Sequence, residues 1–327
     1  MQNTEKPNKI RVKKALGQNF LKSQSALKQI IEAGDLKKGE IVLEIGPGKG
    51  ALTEKILETG AILFAIEKDR ELIAFLGEKF QKYIENKSFF LIEGDVLELN
   101  IKSILMRTLG RSGGDGQTRL PSLCSDRSGQ GEFSAENSRG EQKNAFNIHR
   151  NNIFQDNSQK NTFNIYKNNL QTYKIIANIP YNITGAILKK FLTEENSPER
   201  MVLMVQNEVA KRIVANNEPE SILSISVKAY GKPKIITKVP ARYFSPAPKV
   251  DSAVILIKDI NKDLFKENKI SEDKFWQIVK TGFAHKRKKL SSNLKNLIKL
   301  DEKYTNSRAE ELEIKDWIEL TKKYCGF

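Results

Sequence analysis

From Ile41 onward the chain alternates short apolar runs with amphipathic stretches: "IVLEIG", "ALTEKILETG", "ILFAIEKD", "RELIAFLGEKF" and "SFFLIEGD" follow one another closely. Apolar runs of about five residues separated by helix-period stretches of about ten to twelve imply parallel strands with helices on both faces. The pattern predicts an α/β domain. A helix is expected just before it, over "SQSALKQIIEAG", with Ser23 or Ser25 capping its start and Gly34 its end.

After "GDVLELN" the periodicity fades. The stretch from about Ser103 to Thr172 is dominated by Gly, Ser, Asn, Gln and charge. Such a composition buries too little surface to offset its ordering entropy, so a low-complexity, disordered insertion is expected over about 103–172. The α/β pattern resumes at "YKIIANIPYNI" and continues through "GAILKKFLTEE", "RMVLMVQ" and "NEVAKRIVA". Two strand signals in close succession, "KPKIITKVPARYF" and "SAVILIK", predict an antiparallel finish to the sheet. Beyond Lys258 the stretches "SEDKFWQIVKTGFA", "KRKKLSSNLKNLIKL" and "EIKDWIELTKKYC" read as helices without strands. The expected organisation is a sheet domain over residues 1–257 and a small all-helical domain over residues 258–327.

At 327 residues the chain can bury a full-sized core, and 55 Lys and Arg against 40 Asp and Glu give a formal charge of +15. That excess points to a polyanionic partner such as nucleic acid rather than to an acidic small molecule. Cys124 and Cys325 stand far apart without metal-ligand spacing, so neither a disulfide framework nor a metal site is expected, and a reducing cytoplasm fits. No apolar run approaches the length of a membrane span, and "MQNTEKPNKIRVKKALG" lacks the apolar centre of a signal peptide. A soluble protein with a basic N-terminal arm is expected, with no membrane partner. No heptad is visible, which makes a monomer the expectation.

Candidate chemistry gathers at successive strand ends. The first strand runs into "EIGPGKGALT", where Gly46, Gly48 and Gly50 permit positive φ and close backbone approach to a ligand over a helix start. The second ends at "AIEKD", placing Glu67 about twenty residues downstream, where a carboxylate accepts from both hydroxyls of a ribose. This pair suits NAD as readily as S-adenosylmethionine, although glycines at every second position are not the dinucleotide spacing. The third strand adds "IEGDVL", whose Asp95 can accept from an adenine amino group.

The fourth strand ends in "NIPYNI". An exocyclic adenine amine is a poor nucleophile because its lone pair is delocalised into the ring. Acceptors aimed at both of its N–H groups favour a pyramidal nitrogen and direct the lone pair at an electrophilic methyl. The Asn178 side-chain carbonyl and a backbone carbonyl of "NIPY" can supply them, Pro180 stiffens the turn, and Tyr181 offers a ring for stacking the base.

Taken in order, "GQNFL", "EIGPGKGALT", "AIEKD", "GDVL", "NIPYNI" and "FSPAPKVDSAV" resemble the motifs of ribosomal RNA adenine N6-dimethyltransferases of the bacterial KsgA/RsmA type. The resemblance covers nearly everything outside the insertion and the first dozen residues. It implies a class I, Rossmann-like S-adenosylmethionine-dependent methyltransferase domain followed by a C-terminal helical domain that binds RNA or the ribosome. It further implies that Asn19 and Leu21 close over S-adenosylmethionine and that Gly46 approaches its methionine end. Glu67 would hold the ribose and Asp95 the adenine, while Asn178 would lie between cofactor and target amine. Tyr181 and Phe244 would sandwich a flipped adenine. The implied substrate is a pair of adjacent adenosines near the 3′ end of 16S rRNA, in the small subunit or its late precursor.

"HKRKKLSSNLKNL" resembles the family's basic helix start, so Lys286, Arg287, Lys288 and Lys289 are expected on RNA phosphates. Arg11, Lys13 and Lys14 extend the argument to the N-terminal arm, and Lys211 and Arg212 are further candidates. His149 and His285 are expected at the surface without a catalytic role. Two other readings stand beside this one: a large-subunit adenine dimethyltransferase, and a noncatalytic assembly factor on the same scaffold. A small-molecule N-methyltransferase would not require the basic tail.

Overall fold

The computed structural model describes residues 12–13, 16–109, 172–216 and 218–326. A two-residue strand, β1 (Phe20–Leu21), leads into helix α1 (Gln24–Gly34), which starts at Ser23, whose hydroxyl accepts the Ala26 N–H. Gly34 does not serve as the expected terminator. It is the last helical residue, and Asp35 takes the left-handed position after it. A Cβ on Gly34 would stand 2.6 Å from Ile176 Cδ1, so glycine there lets the helix approach the sheet.

The alternation then runs through β2 (Ile41–Ile45), α2 (Ala51–Glu58), β3 (Ile62–Glu67), α3 (Arg70–Lys79), α4 (Gln81–Glu85), β4 (Phe89–Glu93) and α5 (Ile101–Leu109). After the undescribed stretch come β5 (Lys174–Asn178), β6 (Arg200–Gln206), β7 (Lys232–Val239), β8 (Phe244–Ser245) and β9 (Ser252–Lys258). Seven of these strands form one sheet in the order β4-β3-β2-β5-β6-β9-β7. The first five are parallel to one another, and β9 pairs antiparallel with both β6 and β7, which is the expected antiparallel finish. Strands β2 and β3 are buried along their whole length, as a sheet covered on both faces requires.

This connectivity fixes where a ligand can bind. The chain steps outward from β2 to β3 to β4, then returns to lay β5 on the other side of β2. In open α/β sheets that reversal opens a crevice at the carboxyl ends of the two diverging strands. On the same side, β1 and β8 form a small antiparallel ladder, Phe20 opposite Ser245 and Leu21 opposite Phe244.

The first residues of the expected insertion are not structureless. Residues 103–109 are helical, and Ile101, Leu105 and Leu109 are buried at the four-residue spacing of one helix face. The rest of that expectation, with His149, lies outside the described residues.

After Lys258 the described residues form helices only: Asp263–Glu267, Glu272–Gly282, Leu290–Asn293, Glu302–Thr305 and Ile314–Cys325, besides a short 3₁₀ turn. Their core is built around buried Trp317, whose ring lies 5.4 Å from that of Phe283. A Cβ on Gly282 would stand 2.5 Å from Trp317, so this approach requires glycine. Tyr230 joins these helices to the sheet domain, donating to Glu272 Oε1 (2.5 Å) and accepting from Trp276 Nε1 (2.9 Å). Among the described residues no helix is long and apolar enough to cross a membrane.

Candidate active site

Loops leaving β2, β3, β4 and β5 surround a cavity of about 480 Å³, within the range of small-molecule sites. The turn after β2 holds Gly46, Gly48 and Gly50, all at positive φ. Their surroundings differ. A Cβ on Gly50 would stand 2.5 Å from Phe80 Cε2, whereas one on Gly46 meets nothing within 4 Å. Gly50 therefore serves packing, and Gly46 borders open space that a ligand can fill.

Glu67, 7% exposed, ends β3. Its carboxylate accepts the N–H groups of Gly48 (3.3 Å), Lys68 (2.9 Å) and Asp69 (3.0 Å). Burial pushes its pKa up, against the lowering by these bonds. Asp95 lines the cavity from the β4 loop, bonded to Lys68 Nζ and the Leu97 N–H, both at 2.9 Å. The Lys68 bond is the main cause that holds its pKa below the usual carboxylate range. Glu67 Oε1 already accepts two N–H groups, but Glu67 Oε2 and both Asp95 oxygens each accept one and keep a second lone pair, so ribose hydroxyls and an amino group find acceptors here.

Asn178, the last residue of β5, donates through Nδ2 to the Asn19 carbonyl at 3.0 Å. A carbonyl can only accept, so the amide orientation is set, and Oδ1 is the group left for a ligand. In the turn that follows, the Pro180 carbonyl accepts from Ile183 N–H (3.2 Å) and the Tyr181 carbonyl from Thr184 Oγ1 (3.0 Å). That leaves the Ile179 carbonyl, on a cavity-lining residue, as the backbone acceptor candidate. The Tyr181 hydroxyl shares a 2.5 Å hydrogen bond with Ser252 Oγ at the start of β9, which fixes the ring at the cavity wall.

Asn19, Leu21, Gly46, Glu67, Asp95, Asn178, Pro180 and Tyr181 thus all line one cavity. Phe244 does not. Only 3% exposed, it packs in the hydrophobic core opposite Leu21 in the β1–β8 ladder, and the neighbouring Ser245 lines the cavity.

Sequence reasoning overlooked Glu44. This residue lines the cavity from within β2, 1% exposed, and its Oε2 accepts the Thr53 hydroxyl at 2.7 Å. Burial pushes its pKa to about 8, opposed by Thr53 and reinforced by the negative charge of Glu67. The signal was present, since a carboxylate inside the apolar run "IVLEIG" breaks the pattern of a strand covered on both faces.

Lys286 to Lys288 lie in an exposed turn after Glu272–Gly282 and lead to Lys289, which precedes the helix Leu290–Asn293 as its N-cap, so the basic run does stand at a helix start; Asn293 Nδ2 pins the turn by donating to the Gly282 carbonyl (2.6 Å). Lys289 donates to Asn306 Oδ1 (2.8 Å), while Lys286, Arg287 and Lys288 have no ion pair among the described residues. Lys13 is not free for phosphate. Its ammonium lies 2.6 Å from Asp69 and 3.0 Å from Glu71, which already match its charge. Arg11 and Lys14 lie outside the described residues; Lys211 and Arg212 are exposed on the helix after β6.

The family profile "Ribosomal RNA adenine dimethylase" matches residues 9–324. A protein of Dehalococcoides mccartyi strain CBDB1 called "Ribosomal RNA small subunit methyltransferase A" is 33% identical, over 97% of this chain and 90% of that one. One of the same name from Fusobacterium nucleatum is 30% identical, over 96% and 98%. Among solved structures, the 23S rRNA methyltransferase ErmE superposes with a TM-score of 0.61 at 17% identity, over 94% of this chain and all (100%) of that chain. A dimethyladenosine transferase from Plasmodium falciparum gives 0.60 at 21%, over 94% and 98%. The two structures share the Rossmann-like fold. The cavity suits a cationic nucleoside donor, with open space at Gly46, buried carboxyls at Glu44 and Glu67, and a further acceptor at Asp95. Profile and relatives together span the described chain, which belongs to the ribosomal RNA adenine dimethylase family, S-adenosylmethionine-dependent methyltransferases of rRNA.

Proposed function

We propose that the protein dimethylates the N6 amines of two adjacent adenosines near the 3′ end of 16S rRNA, on a late small-subunit particle. One observation carries the reading: at the end of β5 an acceptor with a fixed orientation, Asn178 Oδ1, stands beside the anchored ring of Tyr181, both on the cavity. Asn178 Oδ1 takes one N–H of the target amine and the Ile179 carbonyl the other, which localises the nitrogen lone pair. Tyr181 stacks on the base, and Pro180 keeps the turn rigid.

Bound S-adenosylmethionine supplies an electrophilic methyl carbon on a sulfonium. Glu67 holds its ribose and Asp95 its adenine, while Gly46 approaches its methionine end and Asn19 and Leu21 close over it. A neutral amine needs no strong base before it attacks, so the work of these residues is positioning.

An adenine inside a duplex cannot reach the cavity, so the target is unpaired or flipped. Residues 258–327 serve as the RNA- and ribosome-binding domain, with Lys286, Arg287, Lys288 and Lys289 on phosphates. The small-subunit assignment is supported by the names of the curated relatives. The protein is read as a cytoplasmic monomer.

The test incubates the protein and labelled S-adenosylmethionine with small-subunit particles lacking the modification, with large-subunit RNA, and with free adenosine. Label is expected at two adjacent adenosines of the small-subunit RNA, lost with Asn178→Ala while donor affinity is largely retained. Label confined to the other two substrates would reject the assignment.

A further inference from the structure

The N-terminal segment crosses the cavity and is tied on both sides. At its far end the Lys22 N–H donates to the Tyr243 carbonyl (2.8 Å), beside the β1–β8 ladder. At its near end the anchor is Asp69. Its Oδ1 accepts Lys13 Nζ (2.6 Å) and the Glu71 N–H (3.1 Å), and its Oδ2 accepts Gln18 Nε2 (2.8 Å). Gln18 Oε1 closes the loop by accepting the Lys13 N–H at 2.8 Å.

Between the two ties, residues 16–21 line the cavity, and the Asn19 carbonyl holds Asn178 Nδ2. Asp69 is also joined to the ribose-side acid, since its N–H donates to Glu67 Oε1. A carboxylate needs only one acceptor oxygen to cap α3, yet here both oxygens of a fully buried side chain are spent on the N-terminal segment as well. Burial alone would raise its pKa, but the bonds from Lys13 and Gln18 outweigh it and hold the group ionised.

We propose that Asp69 is a positioning residue for donor binding and methyl transfer: it grips Lys13 and Gln18, holds residues 16–21 across the cavity, and thereby fixes the Asn19 carbonyl that turns Asn178 Oδ1 toward the target amine. The transfer half of this proposal rests on the function proposed above; the donor-binding half does not.

Asp69→Asn separates the two duties of the residue, because asparagine caps a helix as well as aspartate but cannot hold the Lys13 charge. Lys13→Met removes the other partner from a side chain that is 38% exposed, so the core is undisturbed. The dissociation constant for S-adenosylhomocysteine is measured by calorimetry, and kcat on small-subunit particles by label transfer. Each single variant should weaken binding about tenfold, the scale of one charge-assisted hydrogen bond, and lower kcat. Lys13→Arg should keep both values, and the double variant Asp69→Asn with Lys13→Met should be no worse than Asp69→Asn alone. Unchanged binding and turnover in Lys13→Met, or penalties that multiply in the double variant, would reduce Asp69 to a helix cap. Weakened binding with kcat unchanged would remove the transfer half. Particles left unmethylated by the wild-type protein would refute the proposed function and with it the transfer half, while the calorimetry still decides the donor half.

Discussion

Glu44→Gln tests the site through stability rather than turnover. Glu44 is enclosed in β2, and its folded-state pKa is raised from 4.5 to about 8, chiefly by burial. The unfolded chain therefore releases this proton at lower pH than the native protein does. Stability from this group is fully present below about pH 4.5 and is lost progressively as pH rises toward 8. At roughly 1.4 kcal/mol per pH unit, the loss reaches about 4 kcal/mol by pH 8, less whatever water in the cavity returns to the carboxylate. Glutamine keeps the shape and can still accept from Thr53, but it cannot ionise. Urea unfolding of both proteins at about pH 5 and about pH 8 gives the comparison, since other titrating groups cancel in the difference. The variant should match the wild type within about 1 kcal/mol at the lower pH and exceed it by several kcal/mol at the higher. A difference independent of pH would mean that Glu44 is ionised throughout, and the account of a neutral buried acid would be wrong.

Two further outcomes follow from the geometry. Gly50→Ala should lower stability by about 2–4 kcal/mol, because left-handed backbone strain adds to the clash with Phe80, whereas Gly46→Ala should cost only about 1 kcal/mol yet displace the donor. Urea midpoints and S-adenosylhomocysteine affinities separate the two, and a Gly46→Ala protein with normal affinity would exclude close approach at that position. Replacing Lys286, Arg287 and Lys288 together by alanine should reduce the salt dependence of RNA binding by roughly one unit of slope for each phosphate left without its cation, leaving donor affinity intact; an unchanged slope would make the turn a solvated surface.

Local pattern was enough to place the strands and the loops that follow them. Apolar runs at "IVLEI", "ILFAI" and "KIIAN" are where β2, β3 and β5 form, because a sheet covered on both faces has room for little else. Acids, glycines and the asparagine at those strand ends were legible for the same reason: each interrupts an apolar run where the chain must turn. Glu44 breaks such a run too, so its chemistry was open to the same rule. The pairing of "SAVILIK" with its neighbours was also foreseeable, since two strand signals in close succession favour an antiparallel return.

Meetings between distant segments were not legible. Neither Lys13 nor Phe244 carries a local sign that one meets Asp69 and the other sinks into the core, because each partner is set by how the sheet brings remote loops together. The orientation of Asn178 depends on a carbonyl 159 positions away in the chain. Short-range periodicity therefore specified which chemical groups stand at the mouth of the sheet. Which of them face the cavity, and which are already occupied by another side chain, follows from packing across separations that no periodicity spans.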